Sequence, residues 1–239
     1  MYTDVVDLRD FYETSLGQAA TRLLRRRIRR LWPSLPGATL VGLGYAVPYL
    51  RPFHGEAGRI VALMPAAQGV LHWPKDDRNV TALVEETELP FQDSSVDRLL
   101  LVHALECADQ VRGLLDEVWR VLAGAGRVLV VVPNRRGIWA QLDRTPFGAG
   151  HPYTAGQLSR LLRDAGFTPV TTTAGLYIPP TRSRMVLSAA GAWESVGQRW
   201  FTTFAGVVLI EATKQIYAKV RPRRERRREL AYRPAGAPV

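Results

Sequence analysis

The sequence predicts an α/β protein with a doubly wound, mostly parallel sheet, and three observations between Leu99 and Pro133 carry that prediction. Leu99–Val102 is a continuous apolar run, bounded by polar residues and too short for a helix, as expected of a strand buried on both faces. Val111, Leu114, Leu115, Val118 and Leu122 then recur at helical spacing, with Arg112, Asp116 and Arg120 between them. Asp109 is placed to accept from the first free amides of that helix, and Gly124 and Gly126 to stop it. Val128–Val132 is apolar, rich in valine and closed by Pro133, the pattern of a second buried strand. A β-α-β unit has a right-handed crossover and implies a parallel sheet with helices packed on it. Ligands of such sheets bind beyond the carboxyl ends of the strands, here around His103, Ala104 and Glu106 and around Asn134, Arg135 and Arg136.

The remaining elements follow in order. Residues 11–31 are expected to be one helix, with Leu16, Ala20, Leu23, Leu24, Ile28 and Leu31 on one side and most arginines on the other, ended by Trp32-Pro33. Thr39–Leu43 is the first strand, stopped by Gly44; Arg59–Leu63 is the second and Val80–Val84 the third. The stretch 69–79, GVLHWPKDDRN, has no helical period, so the crossover helix expected between the second and third strands is short or missing. After Asn134 a long segment rich in Gly and Pro contains Trp139, Phe147 and Tyr153. Its length points to a functional cover, and its aromatics argue against disorder. Thr154 and Gln157 make a capping box for a helix ended by Gly166, and Pro169–Leu176 and Gly206–Ile210 supply later strands. This divides the chain into an N-terminal helical segment (1–36), an α/β domain (37–216) and a basic flexible tail (217–239).

The chain has 239 residues, 46% of them hydrophobic, enough for one domain with a sizeable core. Its net charge of +10 is concentrated. Arg22–Arg30 and the window 219–228, which includes Arg221–Arg228, each contribute +6, leaving −2 for everything else. Contact with nucleic acid or anionic lipid would therefore rest on those two segments, whose bland alternatives are a solvated helix face and a solubilising tail. The single cysteine, Cys107, excludes an internal disulfide and points to a reducing, cytoplasmic setting. No apolar run reaches the roughly 18 residues of a membrane span. No phosphate-binding P-loop, zinc-binding HExxH or GxSxG nucleophile elbow is present.

Six motifs in register give the stretch 88–134 a resemblance. Leu89-Pro90-Phe91, Ser94-Ser95-Val96-Asp97, His103-Ala104-Leu105-Glu106, Glu117-Val118-Trp119-Arg120-Val121-Leu122, Gly126-Arg127 and Val132-Pro133-Asn134 together resemble the second half of the class I S-adenosylmethionine (SAM) dependent methyltransferases of the "type 11" group. The resemblance implies a Rossmann-like sheet with an antiparallel final strand, SAM as cofactor, and an N-terminal cover in which Phe11 and Tyr12 could act as a lid. The first half departs from the family pattern. Gly42 stands where an acid is expected, Gly44 matches the first glycine of the cofactor loop, and Ala46 and Pro48 replace the other two. Leu63-Met64-Pro65 lacks the ribose-binding carboxylate, a loss of roughly 1.5–3 kcal/mol.

Carried over residue by residue, the family places Gly42, Gly44, Tyr45, Met64, Glu85 and Glu86 at the cofactor. Glu85 would take the adenine amine, although a solvated acidic loop explains it equally well. His103 and His151 are the candidate general bases, since imidazole titrates near neutrality, and each alone is more often a capping histidine. Arg135, Arg136, Trp139 and Tyr153 are placed on the substrate side. Three functions follow: methyl transfer to a small-molecule acceptor, a methyltransferase-fold module without catalysis working through its arginines, and a nucleic-acid methyltransferase. A fold resemblance does not choose among them.

Overall fold

The computed structural model describes residues 4–142 and 144–215. Among the described residues, seven strands form one sheet: β1 (Thr39–Gly44), β2 (Arg59–Pro65), β3 (Thr81–Val84), β4 (Val96–Val102), β5 (Leu122–Pro133), β6 (Phe167–Gly175) and β7 (Val207–Lys214). Their spatial order is β3-β2-β1-β4-β5-β7-β6. β1 to β5 pair in parallel, and β7 lies antiparallel between β5 and β6. The doubly wound sheet with an antiparallel last strand is therefore present, and the order reverses at β1/β4, where open α/β sheets place their ligands.

Alternation along the strands makes two cores. Leu99, Leu101, Val128 and Val130 face α4 (Val111–Val121) and α5 (Ala155–Asp164). Leu100, Val102, Leu129 and Val131 face the other layer. That layer holds α1 (Val5–Glu13), α2 (Ser15–Leu31), α3 (Val47–Leu50), α6 (Arg184–Ser188) and α7 (Ala190–Trp200). Trp32, at the end of α2, donates from Nε1 to Glu211 of β7 at 2.8 Å and anchors the helix to the sheet.

Two local expectations are corrected. The helix expected over 11–31 is two helices: Thr14 is extended, and its hydroxyl accepts from the Gly17 amide and caps α2. The Gly17 Cα packs so closely on Phe11 that a Cβ there would lie 2.2 Å from the Phe11 carbonyl, so the corner between α1 and α2 is tight. Asp109 does not cap α4; the Gln110 amide donates instead to Glu86 at 3.0 Å. The capping box at Thr154 and Gln157 is formed, as the spacing predicts. No helix lies between β2 and β3, and the amino end of α1 docks there, the Val5 amide donating to the Gln68 carbonyl at 2.7 Å.

The motifs of the second half are joined by Arg120. Its guanidinium donates to the carbonyls of Leu89 and Phe91 and to Asp93 and Glu117, while Glu117 accepts from the Leu89 amide. One side chain thus ties α4 to the loop that leads into β4.

Candidate cofactor and substrate site

The site region is the set of turns at the carboxyl ends of β1, β2, β3 and β4. After β1, Gly44 has φ +81°, and a Cβ there would lie 2.3 Å from the Val102 carbonyl, so only glycine lets the turn pass β4. Gly42 has another role than its family position implies: it leaves room for Ala46 and Leu50, whose side chains a Cβ would meet at 2.7 and 2.8 Å. Ala46 thus leads into, and Pro48 lies within, a short α3 seated on the strand, in place of an open glycine loop.

After β4, His103 adopts φ +53°, uncommon for a residue with a side chain. This geometry aims its ring into a buried polar chain. The Tyr49 hydroxyl donates to the Tyr12 hydroxyl at 3.0 Å, Tyr12 meets His103 Nε2 at 2.8 Å, and His103 Nδ1 meets Glu106 Oε1 at 3.1 Å. A single proton assignment satisfies the chain: Nδ1–H donates to the Glu106 carboxylate and Nε2 accepts from Tyr12. His103 and Glu106 side chains are 2% and 1% exposed, and Glu106 Oε2 has no hydrogen-bond partner among the described residues. Burial pushes the Tyr12 and Tyr49 hydroxyls well above the usual phenol range and raises Tyr45 to about 12. All three stay protonated at neutral pH.

Around this chain the volume is filled. Tyr12 stacks on Tyr45 with ring centroids 5.3 Å apart, Phe147 lies 4.9 Å from the His103 ring, and Phe11 meets Phe147 edge-on. Tyr45 is 6% exposed and Met64 1%. The Gln68 side-chain Nε2 donates to the His103 carbonyl across the end of β2. What stays open is a cavity of about 110 Å³ lined by Pro65, Gln68, Glu85, Glu86, Cys107 and Asp109. Small-molecule sites enclose about 300–1,000 Å³. Glu85 and Glu86 line this cavity, at the carboxyl end of β3. Tyr12, Tyr45 and Gln68 fill the space beside the ends of β1, β2 and β4, and β2 ends without a carboxylate. SAM does not fit this arrangement while α1 is docked.

The other sequence-derived site residues divide. The His151 amide donates to the Glu106 carbonyl at 2.8 Å, which brings the loop after β5 onto the His103 turn, but the His151 side chain is exposed. Tyr153 bridges to Asn134 and is half-buried, its hydroxyl held above the usual range by burial and then by the Glu106 charge. Arg135 and Arg136 are exposed. Trp139, placed on the substrate side by the sequence, is a core residue: it is 1% exposed, donates to the Ile178 carbonyl at 2.8 Å and packs edge-on against Phe147. Sequence reasoning missed Gln68 and Tyr49. Tyr45 and Tyr49 are four residues apart, a spacing that would have put both on one helical face, whereas nothing local marks Gln68.

Comparison with known proteins agrees with this architecture. The sequence model of the methyltransferase domain family matches residues 41–130. Over residues 41–130 the chain is thus similar to methyltransferase domains. A demethylmenaquinone methyltransferase of Corynebacterium glutamicum is 28% identical over 131 residues, which are 54% of this chain and 56% of that enzyme. The chain thus spans about half the length of this curated relative. Among solved structures, a SAM-dependent methyltransferase from Thermotoga maritima superposes with a TM-score of 0.65 at 16% identity, over 88% of this chain and 96% of its own. The [4+2]-cyclase SpnF superposes at 0.57 with 22% identity, over 83% and 82%. At these identities the structures establish the fold, which is that of the class I SAM-dependent methyltransferases.

Proposed function

We propose that this protein transfers a methyl group from SAM to a small-molecule acceptor, at a site that α1 covers and uncovers. The observation that carries this reading is that the plug belongs to a separate N-terminal helix. Tyr12 of α1 both caps His103 and stacks on Tyr45, so withdrawal of one nine-residue helix would free His103 Nε2 and the space beyond the carboxyl end of β1. His103 would then present Nε2, with its tautomer held by the Glu106 carboxylate, to the proton of an acceptor. The demethylmenaquinone methyltransferase relative, named for a small-molecule acceptor, supports the substrate class. The free thiol of Cys107 supports a cytoplasmic location.

The second reading is a methyltransferase fold kept as a binding module. It is favoured by Tyr45, Met64 and Gln68, which do not belong to α1 and stay in place when it moves. Nucleic-acid contact through Arg22–Arg30 has less support: Arg25 donates to the Pro48 carbonyl, Arg27 pairs with Glu194 and Arg29 with Glu56. Arg22, Arg26 and Arg30 are the exposed ones, and Arg221–Arg228 lie outside the described residues.

Calorimetric titration with SAM and with its demethylated product, on the wild type and on Tyr12→Ala, tests the proposal. The variant should bind at least about tenfold more tightly, because it no longer pays to open the site. Heat-silent titrations without thermal stabilisation in both proteins would remove methyl transfer and leave the module.

A further inference from the structure

We propose that the α6–α7 surface docks this protein onto an anionic lipid bilayer. Met185, Trp193, Val196, Trp200, Phe201 and Phe204 are all exposed, Met185 at 79% and Trp200 at 71%. Trp193, Val196 and Trp200 follow one another at i, i+3 and i+7 and so form a stripe along one flank of α7. Scattered apolar residues on a surface are ordinary, but a run of large aromatics within twelve residues of chain marks an interaction site.

Charge selects the partner. Between Tyr177 and Gly206 the charged residues are Arg182, Arg184, Arg199 and Glu194. The one acid is buried and committed: Glu194 pairs with Arg27 of α2 at 2.9 Å and accepts from the Tyr177 amide at 2.7 Å. Every exposed charge in the segment is therefore an arginine. α2 packs against α6 and α7, and its exposed Arg22, Arg26 and Arg30, spaced four residues apart, add a cationic stripe on that neighbouring helix. Tryptophan and phenylalanine that enter the headgroup boundary, flanked by arginines that meet lipid phosphates, are the components of interfacial binding. The segment lies in the plane of such a surface rather than across it, since no helix of the described residues is long and apolar enough to span a membrane.

The surface adjoins the site cover. Asn134 Nδ2 donates to the carbonyls of Thr203 and Ala205, and a Cβ on Gly137 would lie 2.2 Å from the Ala205 carbonyl. The loop that carries exposed Arg135, Arg136 and Ile138 is thus fastened to the end of the aromatic segment. Docking does not depend on the proposed methyl transfer, and it stands or falls separately.

The test is co-sedimentation of the full chain with phosphatidylcholine vesicles, with and without phosphatidylglycerol, while tryptophan emission is followed. The protein should partition onto the anionic vesicles with a blue shift, and added salt should weaken the partition. Trp193→Ser, Trp200→Ser and Phe204→Ser together keep every arginine and should lower it at least about tenfold. Arg184→Glu with Arg199→Glu should lower it on anionic vesicles alone. Circular dichroism and the urea midpoint should stay at wild-type values in both variants, because the changed side chains are exposed. Absence of partition, or equal partition of the triple variant, would overturn the proposal. So would a wild-type dimer that the triple variant converts to monomer, which would make the face an interface between copies of the chain.

Discussion

The two halves of the sheet are built from the same alternation of strand and connection, yet they have kept different things. From Glu88 to Asn134 the motif residues hold the architecture. Arg120 and Glu117 fasten the loop before β4, and β4 and β5 bury both faces. From Gly44 to Gly69 the sequence keeps Gly44 but departs from the family pattern at Ala46, Pro48 and Met64, and the space there is packed with Tyr45, Tyr49, Met64 and Gln68 against Tyr12. A motif that scaffolds the sheet can persist where the motif that lines the site does not, which is why a family match over one half is stronger for fold than for chemistry.

Gly44→Ala should have the largest effect, since the glycine of the altered turn is held by packing rather than by a ligand. A left-handed φ at a non-glycine residue and a Cβ 2.3 Å from a carbonyl together should cost about 2–5 kcal/mol, read by urea denaturation. A neutral substitution would mean that the turn relaxes freely and that the first half is less fixed than the second. In the second half, Arg120→Lys should cost about 1–3 kcal/mol, because an ammonium cannot reproduce the fork that joins two carbonyls and two carboxylates. A loss below the error of denaturant extrapolation would show that α4 holds the loop without it.

The effect confined to the narrowest range of conditions is a dependence on alkaline pH. Burial first, then Glu106 and Glu86, raises the Cys107 thiol from 9.0 to about 12, and burial raises Tyr45 from 10.0 to about 12. Each folded value lies above the unfolded one, so the stabilisation is complete below the unfolded pKa and is lost as pH rises through the window from 9.0 or 10.0 to about 12. The urea midpoint should therefore fall across that window, and Cys107→Ala should remove the part that begins near 9.0. A flat profile would mean that these groups are solvated and the site more open than its packing indicates.

Most of the fold was legible because its signals are local. Apolar runs such as Leu99–Val102, the helical spacing from Val111 to Val118, and the Thr154–Gln157 box each specify their own element, whereas Leu122, Gly124 and Gly126, expected to end the helix, lie in β5. The failures were where a distant group decides. The break at Thr14 follows from the close seating of Gly17 on Phe11, and the start of α4 is held through the Gln110 amide by Glu86, 24 residues away, rather than by a capping side chain. The site was legible only in outline. Phe11 and Tyr12 could be read as a lid and His103 as a site residue, but the hydroxyl-to-imidazole contact spans 91 positions. Trp139 carries the aromatic signature of a substrate cover and satisfies it in the core, because its indole N–H finds the Ile178 carbonyl there.

Hydrogen exchange on α1, with and without saturating SAM, bears most directly on whether this helix closes the site. Ligand should strip protection from the amides of residues 8–14 while β1 and α3 keep theirs, because the ring of Tyr12 must leave before anything longer than the small cavity can be filled. Bound ligand with α1 still fully protected would contradict that, and would mean that Tyr12 is a fixed part of the core.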